Sequence, residues 1–183
     1  MIKYLSIKLL SNILLSTPKI LSKNYNKEQS NMTIIKERFK AAVATHLLLI
    51  NSAQEILLSL RHNTGYADNL YSVVAGHVEA GENVVAATVR EAKEEANLLL
   101  AAKDIEFVHV LHNRTSADEI GYIDFFFIAK NWPDTILNLE PEKCKELKFF
   151  PLDNLPLNMV PYIAQAIKCF KQKISQSIYG WGT

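Results

Sequence analysis

Hydrophobic and polar positions change rhythm several times along the chain, and each change marks an element. Residues 42–50 (AVATHLLLI) and 55–61 (EILLSLR) are rich in aliphatic and β-branched side chains, and Asn51-Ser52-Ala53 between them is a tight-turn sequence. Two strands paired antiparallel are expected there. Residues 71–75 (YSVVA) form a short strand that runs into a glycine-containing loop from Gly76 to Gly81. From about residue 83 to 96 the period lengthens to that of a helix. At roughly 100° per residue, Val85, Val89, Ala92 and Ala96 fall in one narrow stripe and Glu91, Glu94 and Glu95 cluster opposite. Strands follow near 105–112 and 122–129, with 147–150 as a last short strand. Residues 151–161 are a proline-punctuated connection, and 162–174 read as a closing amphipathic helix with lysines on its outer face. From Arg38 onward this alternation predicts a mixed α/β domain.

Composition narrows the class. Of 183 residues, 49% are hydrophobic and 21% charged, which fits one compact domain with a sizeable core. Twenty basic residues balance 19 acidic ones to a net charge of +1, so no global field draws the chain onto nucleic acid or an anionic membrane. No stable nucleic-acid partner is expected. No stretch reaches the roughly 18 to 20 apolar residues that span a bilayer, and a cytoplasmic location is expected. A homodimer is left open. Cys144 and Cys169 fit neither a metal spacing nor a disulfide framework and read as structural thiols.

The first 31 residues stand apart from the domain expected over 32–183. Between Met1 and Lys27 there are five lysines (Lys3, Lys8, Lys19, Lys23, Lys27) and no acid, with Leu5, Leu9, Leu10, Ile13 and Leu14 near helical spacing. That pattern suits a targeting or membrane-surface helix. Lys8 interrupts the apolar run, no small-x-small cleavage site follows, and arginine is missing. The leader therefore reads first as a flexible segment, or as an upstream extension with Met32 as the working start; residues 24–31 are a polar linker.

Chemistry concentrates in the acidic helix face. Glu91 stands three residues from Glu94 and four from Glu95, spacings at which like charges on a helix repel. Most acid pairs on helices are solvated surface. Glutamates so placed after a glycine loop also suit a hard divalent cation, Mg²⁺ or Mn²⁺, with phosphate oxygens completing its shell. Gly76 can bring its backbone carbonyl close to such an ion, and Gly81 supplies the second bend. Glu82 lies at the helix start, where the dipole favours an anion, and a contact with Arg90 would hold the loop to the helix. Arg90 is placed to orient the glutamates and reads as a brace.

Gly76, Glu82, Arg90-Glu91 and Glu94-Glu95 through Leu98 together resemble the Nudix box, GX5EX7REUXEEXGU, in spacing, identity and order. Two positions depart from it. Asn97 replaces the last glycine, just past the helix where a left-handed residue is expected and asparagine is the best non-glycine occupant. Ala92 replaces the branched aliphatic after Arg-Glu. Flanking segments, Tyr71 to Ala75 and Lys148 to Pro156, also look like those of Nudix domains, so the resemblance covers roughly Phe39 to Lys171. It implies a Nudix-type α/β/α sandwich around a mixed β-sheet. It further implies metal-dependent hydrolysis of nucleoside diphosphates linked to another moiety, by a water nucleophile.

Carried over position by position, the resemblance assigns Glu91, Glu94, Glu95 and the carbonyl of Gly76 to the metal, with Glu94, Glu95 and Arg90 in the catalytic set. A further loop carboxylate often serves as base or extra ligand in such domains; Glu142 is expected, with Glu140 and Glu146 as neighbours. For a small-molecule nucleotide substrate, Arg61, His62, Tyr66 and Asn69 form a candidate lid that can bind phosphate and stack on a base. Asp124 is a polar residue in a bulky apolar strand, so it faces either solvent or a pocket, the pocket being the first expectation. A (d)NTP cut to NMP and pyrophosphate is the first expectation. A nucleotide-sensing module without turnover, an ADP-sugar or dinucleotide hydrolase and an RNA-cap hydrolase are the alternatives.

Overall fold

Strand β1 (Ala41–Leu48) is the element around which the others gather, because the second half of it is buried on both faces. A strand apolar on both sides must lie inside a covered sheet. The computed structural model describes residues 38–114, 121–132 and 135–182; the leader and Met32 lie outside the described residues. Lys40–Thr183 form one compact unit.

β1 runs parallel to β6 (Gly121–Ala129) and antiparallel to β4 (Val74–His77). β6 pairs antiparallel with β5 (Ile105–Asn113), and β5 pairs parallel with β8 (Gln176–Tyr179), giving a mixed five-stranded sheet in the order β4-β1-β6-β5-β8. A second, antiparallel sheet has the order β3-β2-β7, from β3 (Tyr71–Ser72), β2 (Glu55–Arg61) and β7 (Cys144–Pro151). Helix α1 (Val84–Ala96) covers one face of the mixed sheet, burying Ala92 and Ala96 with Leu47, Leu49, Val74 and Phe127. Helix α2 (Pro161–Lys171) covers the other, where Ile163 and Ile167 pack with Leu48, Leu111 and Phe126. Alternate side chains of β1 thus feed two cores, and the expected α/β/α sandwich is the architecture found.

Three expectations about the strands need correction. β1 and β2 do not form a ladder: their adjoining ends meet at the Ile50–Ile56 bridge, with the Leu57 N–H to Leu49 carbonyl and Asn51 N–H to Glu55 carbonyl bonds, and the strands themselves enter different sheets. Both faces of β1 need apolar partners, which a two-stranded hairpin cannot provide. The 71–75 strand is divided at Val73, with Tyr71–Ser72 in one sheet and Val74–His77, including Gly76, in the other. β7 is longer than the 147–150 expected and is not the last strand. It pairs along the whole of β2, and its polar first half, Cys144-Lys145-Glu146, hides it from a hydrophobic pattern.

β8 is held instead by a buried side chain on its neighbour. His109, fully buried, bonds through Nδ1 to the Ile174 carbonyl (2.8 Å) and through Nε2 to Ser177 Oγ (2.9 Å). Among the described residues no helix is long and apolar enough to cross a membrane.

Candidate active site

The site grows from the way α1 begins and ends. Asn83 caps the helix: its side-chain oxygen accepts from the N–H groups of Val85 and Ala86, both at 3.0 Å. At the other end Asn97 adopts the left-handed conformation (φ 58°), and the Leu98 N–H bonds to the Ala92 carbonyl at 3.0 Å. Asparagine therefore does there what the box glycine does. With both ends fixed, the rotation of the helix is fixed.

That rotation places Arg90 at the centre of a charged net. Its guanidinium donates through Nη2 (2.7 Å) and Nε (3.2 Å) to the two oxygens of Glu82, and through Nη2 to the His77 carbonyl (3.0 Å). Nη1 donates to Glu91 (2.6 Å) and Glu94 (3.1 Å). Glu82 also accepts from the Glu79 N–H, closing the loop around Gly81, whose φ is +92°. The bond from Arg90, then that from Glu79, hold the Glu82 carboxyl below the usual range. Gly81 and Glu82 shape the turn and do not line the cleft described below.

Glu95 behaves differently from the exposed acid that a simple helical wheel draws. It is folded against the edge of β4, where its Oε2 accepts from the Ala75 N–H at 3.1 Å. Burial pushes its pKa up to about 8; the Ala75 bond opposes this, while the charges of Glu91 and Glu140 reinforce it. Burial likewise raises Glu91, against the pull of Arg90 and with the push of Glu94 and Glu140. Gly76 lies directly beneath Glu91. A Cβ there would stand 1.8 Å from Glu91 Oε1, so only glycine leaves room for that carboxylate.

These acids border a cleft of about 750 Å³. Glu91, Glu94, Glu95, Gly76 and Arg90 line one end, and Glu140 joins them. Glu142, the loop acid expected from sequence, is instead exposed in the turn before β7 and does not line the cleft. The segment around Glu140 is hung from α1 by the Leu139 N–H to the Glu95 carbonyl, which brings position 140 inward and leaves 142 outside. Glu146 is engaged by the Tyr71 hydroxyl and is also absent from the lining.

Of the expected lid residues, Arg61 and Tyr66 line the cleft. Arg61 bonds to the Tyr66 carbonyl (3.0 Å) and to Thr64 Oγ1 (2.9 Å), and lies 5.7 Å from the centroid of the Tyr66 ring. Asn69 does not line the cleft: it turns the chain at φ 66°, bonding its N–H to the Arg61 carbonyl and its carbonyl to Asn158. His62 contacts Asn63 and is also outside. Asp124 does face the cleft, at its inner end and 2% exposed, with Oδ1 3.1 Å from His46 Nε2. His46, Asn113, Tyr122 and Tyr162 accompany it. Sequence reading missed these four; only the polarity of His46 within an apolar strand signalled one of them.

The donor set at the acidic end is all oxygen, and buried carboxylates there raise one another's pKa with only partial cationic relief. Those are the properties a hard divalent cation answers. Among the described residues no three acidic, histidine or cysteine side chains already converge on one coordination point. Arg90 draws Glu91 and Glu94 to one side and the Ala75 N–H holds Glu95 at the other.

An α/β/α sandwich with a glycine-loop-helix acid cluster on its sheet edge defines a class, and the comparisons give it a name. The sequence model of the NUDIX domain matches residues 40–170, and the chain belongs to this family as a Nudix hydrolase. Residues 1–39 fall outside the match. Solved structures repeat the fold. A MutT NUDIX hydrolase from Burkholderia pseudomallei is similar with a TM-score of 0.64 and 21% identity, over 70% of this chain and 97% of that one. The MutT protein from Methanosarcina mazei Go1 gives 0.63 and 15% over 75% and 97%, and the ORF135 protein of E. coli gives 0.59 and 18% over 73% and 91%.

Proposed function

We propose that the chain is a divalent-metal-dependent pyrophosphohydrolase that cleaves a phosphoanhydride bond in a nucleoside-diphosphate-linked substrate, a nucleoside triphosphate cut to monophosphate and pyrophosphate being the first choice. The observation that carries this reading is the crowding of Glu91, Glu94, Glu95 and Glu140 at one end of a cleft whose other end is aromatic and polar. Charge at one end suits phosphate and metal, and the remainder suits a nucleoside.

Glu91, Glu94, Glu95 and the Gly76 carbonyl would hold Mg²⁺ or Mn²⁺. When bound there, such an ion would supply neutralisation of phosphate charge and activation of a water nucleophile. Arg90, tied to Glu82 and the His77 carbonyl, fixes the helix against the loop and positions Glu91 and Glu94. Gly76 admits the Glu91 carboxylate to the strand edge. Glu140 lines the same cleft and is our candidate for the proton acceptor or an additional ligand, in place of Glu142. Arg61 would meet phosphate oxygens and Tyr66 would cover the nucleoside.

The test is a panel of nucleoside triphosphates, ADP-ribose, NADH and dinucleoside polyphosphates incubated with Mg²⁺ or Mn²⁺, products being resolved by chromatography. Cleavage that needs the metal and vanishes in Glu95→Gln supports the assignment. Tight nucleotide binding with no turnover of any member of the panel would replace it by a sensing role.

A further inference from the structure

The inner end of the cleft carries buried polar atoms that the fold leaves without partners. Asp124 Oδ2, Asn113 Oδ1 and His46 Nδ1 make no hydrogen bond, although their residues are only 2%, 3% and 3% exposed. Buried polar groups are nearly always satisfied, so three orphans lining one cavity call for an explanation in function. All three residues line the cleft.

Sheet register brings them together. His46 and Ala44 are on one face of β1, Tyr122, Asp124 and Phe126 on the same face of β6, and Asn113 is paired with Tyr122 across β5 and β6. Ala44 stands directly across from Asp124 and, of the residues flanking that carboxylate on this face, carries the smallest side chain. His46 is locked in place: its ring stacks on Phe126 with centroids 4.5 Å apart. Its Nε2 lies within hydrogen-bond distance of Asp124 Oδ1, which leaves Oδ2 as the free oxygen of that carboxylate. Asp124 Oδ2 and Asn113 Oδ1 are both acceptors, and the ligand group that completes them must be a donor.

We propose that this inner end reads the nucleobase and selects the edge richest in N–H donors, the Watson–Crick edge of guanine. The proposal rests on the reading of the chain as a nucleotide hydrolase. Guanine presents a ring N–H beside an exocyclic amine, a pair of adjacent donors suited to a carboxylate oxygen and an amide oxygen. Adenine and cytosine offer the amine beside a ring acceptor, and uracil offers its ring N–H between two carbonyls. Those acceptors would face the lone pairs of Asp124 or Asn113.

Placement along the sheet agrees with the size of a nucleotide. Glu95 is bound to Ala75 on β4, and Asp124 lies two strands away on β6 and one side-chain repeat along. At ~4.8 Å between strands and ~3.3 Å per residue, this is a backbone separation of roughly 12 Å. A nucleoside bridges such a gap with its phosphates at the acids and its base edge at Asp124. Tyr122 and Tyr162 line the cleft beside that edge.

The experiment compares kcat/KM of the full chain for GTP, ITP, 1-methyl-GTP, UTP and 7-deaza-GTP with Mg²⁺, alongside dissociation constants for GTP and ITP by calorimetry. GTP should exceed ITP and UTP by about tenfold to a hundredfold, the span of one good base-edge contact, with most of it in KM. 1-Methyl-GTP should lose that advantage, and 7-deaza-GTP, altered on the far edge, should keep it. These comparisons need no variant. Asp124→Asn, nearly isosteric, should bring GTP down towards UTP and so collapse the ratio between the two. Equal treatment of all bases by the wild type, or an equal loss for every nucleotide in Asp124→Asn, would overturn the proposal. Hydrolysis without base preference would leave the hydrolase reading standing and remove this one. GTP preferred in calorimetry with no hydrolysis would do the reverse.

Discussion

Replacing Glu95 with glutamine should make the metal-free protein more stable, by an amount that depends on pH. Glu95 is held at the edge of β4 with its pKa raised from 4.5 to about 8, chiefly by burial. A carboxyl whose folded-state pKa lies above the unfolded one favours the fold while it is protonated. Its contribution is complete below pH 4.5 and is lost as the pH rises towards 8. Each pH unit in that window removes ~1.4 kcal/mol, so the loss at pH 7 is on the order of 3 kcal/mol. At roughly 3 °C of Tm per kcal/mol for a chain of this size, wild type should fall by about 9 °C relative to the variant. Glutamine keeps an oxygen for the Ala75 N–H and cannot ionise, so Glu95→Gln escapes this term.

The assay is thermal unfolding of both proteins in EDTA at pH 5 and pH 7.5. Their melting temperatures should nearly coincide at the lower pH and separate in favour of the variant at the higher one. Mn²⁺ at pH 7.5 should then raise wild type more than Glu95→Gln, because a cation that binds only the folded state stabilises it and the variant has lost a ligand. If the difference between the two proteins in EDTA stays constant across that pH range, the argument from burial of Glu95 is wrong.

Two further outcomes follow from contacts already described. Gly76→Ala would put its methyl 1.8 Å from Glu91 Oε1, and the displaced atom is the far end of a side chain, so Tm should change by only a few degrees while metal-dependent turnover falls; unchanged turnover would show that Glu91 need not lie over position 76. Glu140→Gln should lower kcat by about a hundredfold or more if it takes a proton, whereas Glu142→Gln should leave it near wild type, and the opposite ranking in parallel assays would restore the original choice of loop acid.

Much of the acid-bearing helix was legible because its signals are local. Asn97 announces the end of α1, and the spacing from Gly76 to Glu95 sets which residues share its faces. β5 and β6 were legible for a similar reason: each is a long run of bulky side chains. What could not be read depends on partners distant in the chain. That β1 enters a different sheet from β2 follows from its parallel register with β6, and the His46–Asp124 contact joins positions 78 apart. β8 has little pattern of its own and exists because His109 bonds to its approach and to Ser177. Glu140 and Glu142 are equivalent as letters; the hydrogen bond from Leu139 to the Glu95 carbonyl distinguishes them.

The passage of the chain from β3 to β4 through Val73 alone has a mechanical consequence. Tyr71 is fastened on both sides, its N–H to the Asn158 carbonyl and its carbonyl to the Val160 N–H at the start of α2, and four residues later Ala75 holds Glu95. Both walls of the cleft are therefore anchored to one short extended span with no hinge between them. A substrate of different bulk cannot be accommodated by spreading the sheets without pulling Glu95 off station. Such adjustment falls to the 62–70 turn, where changes in length can retune the opening while the acids stay where they are.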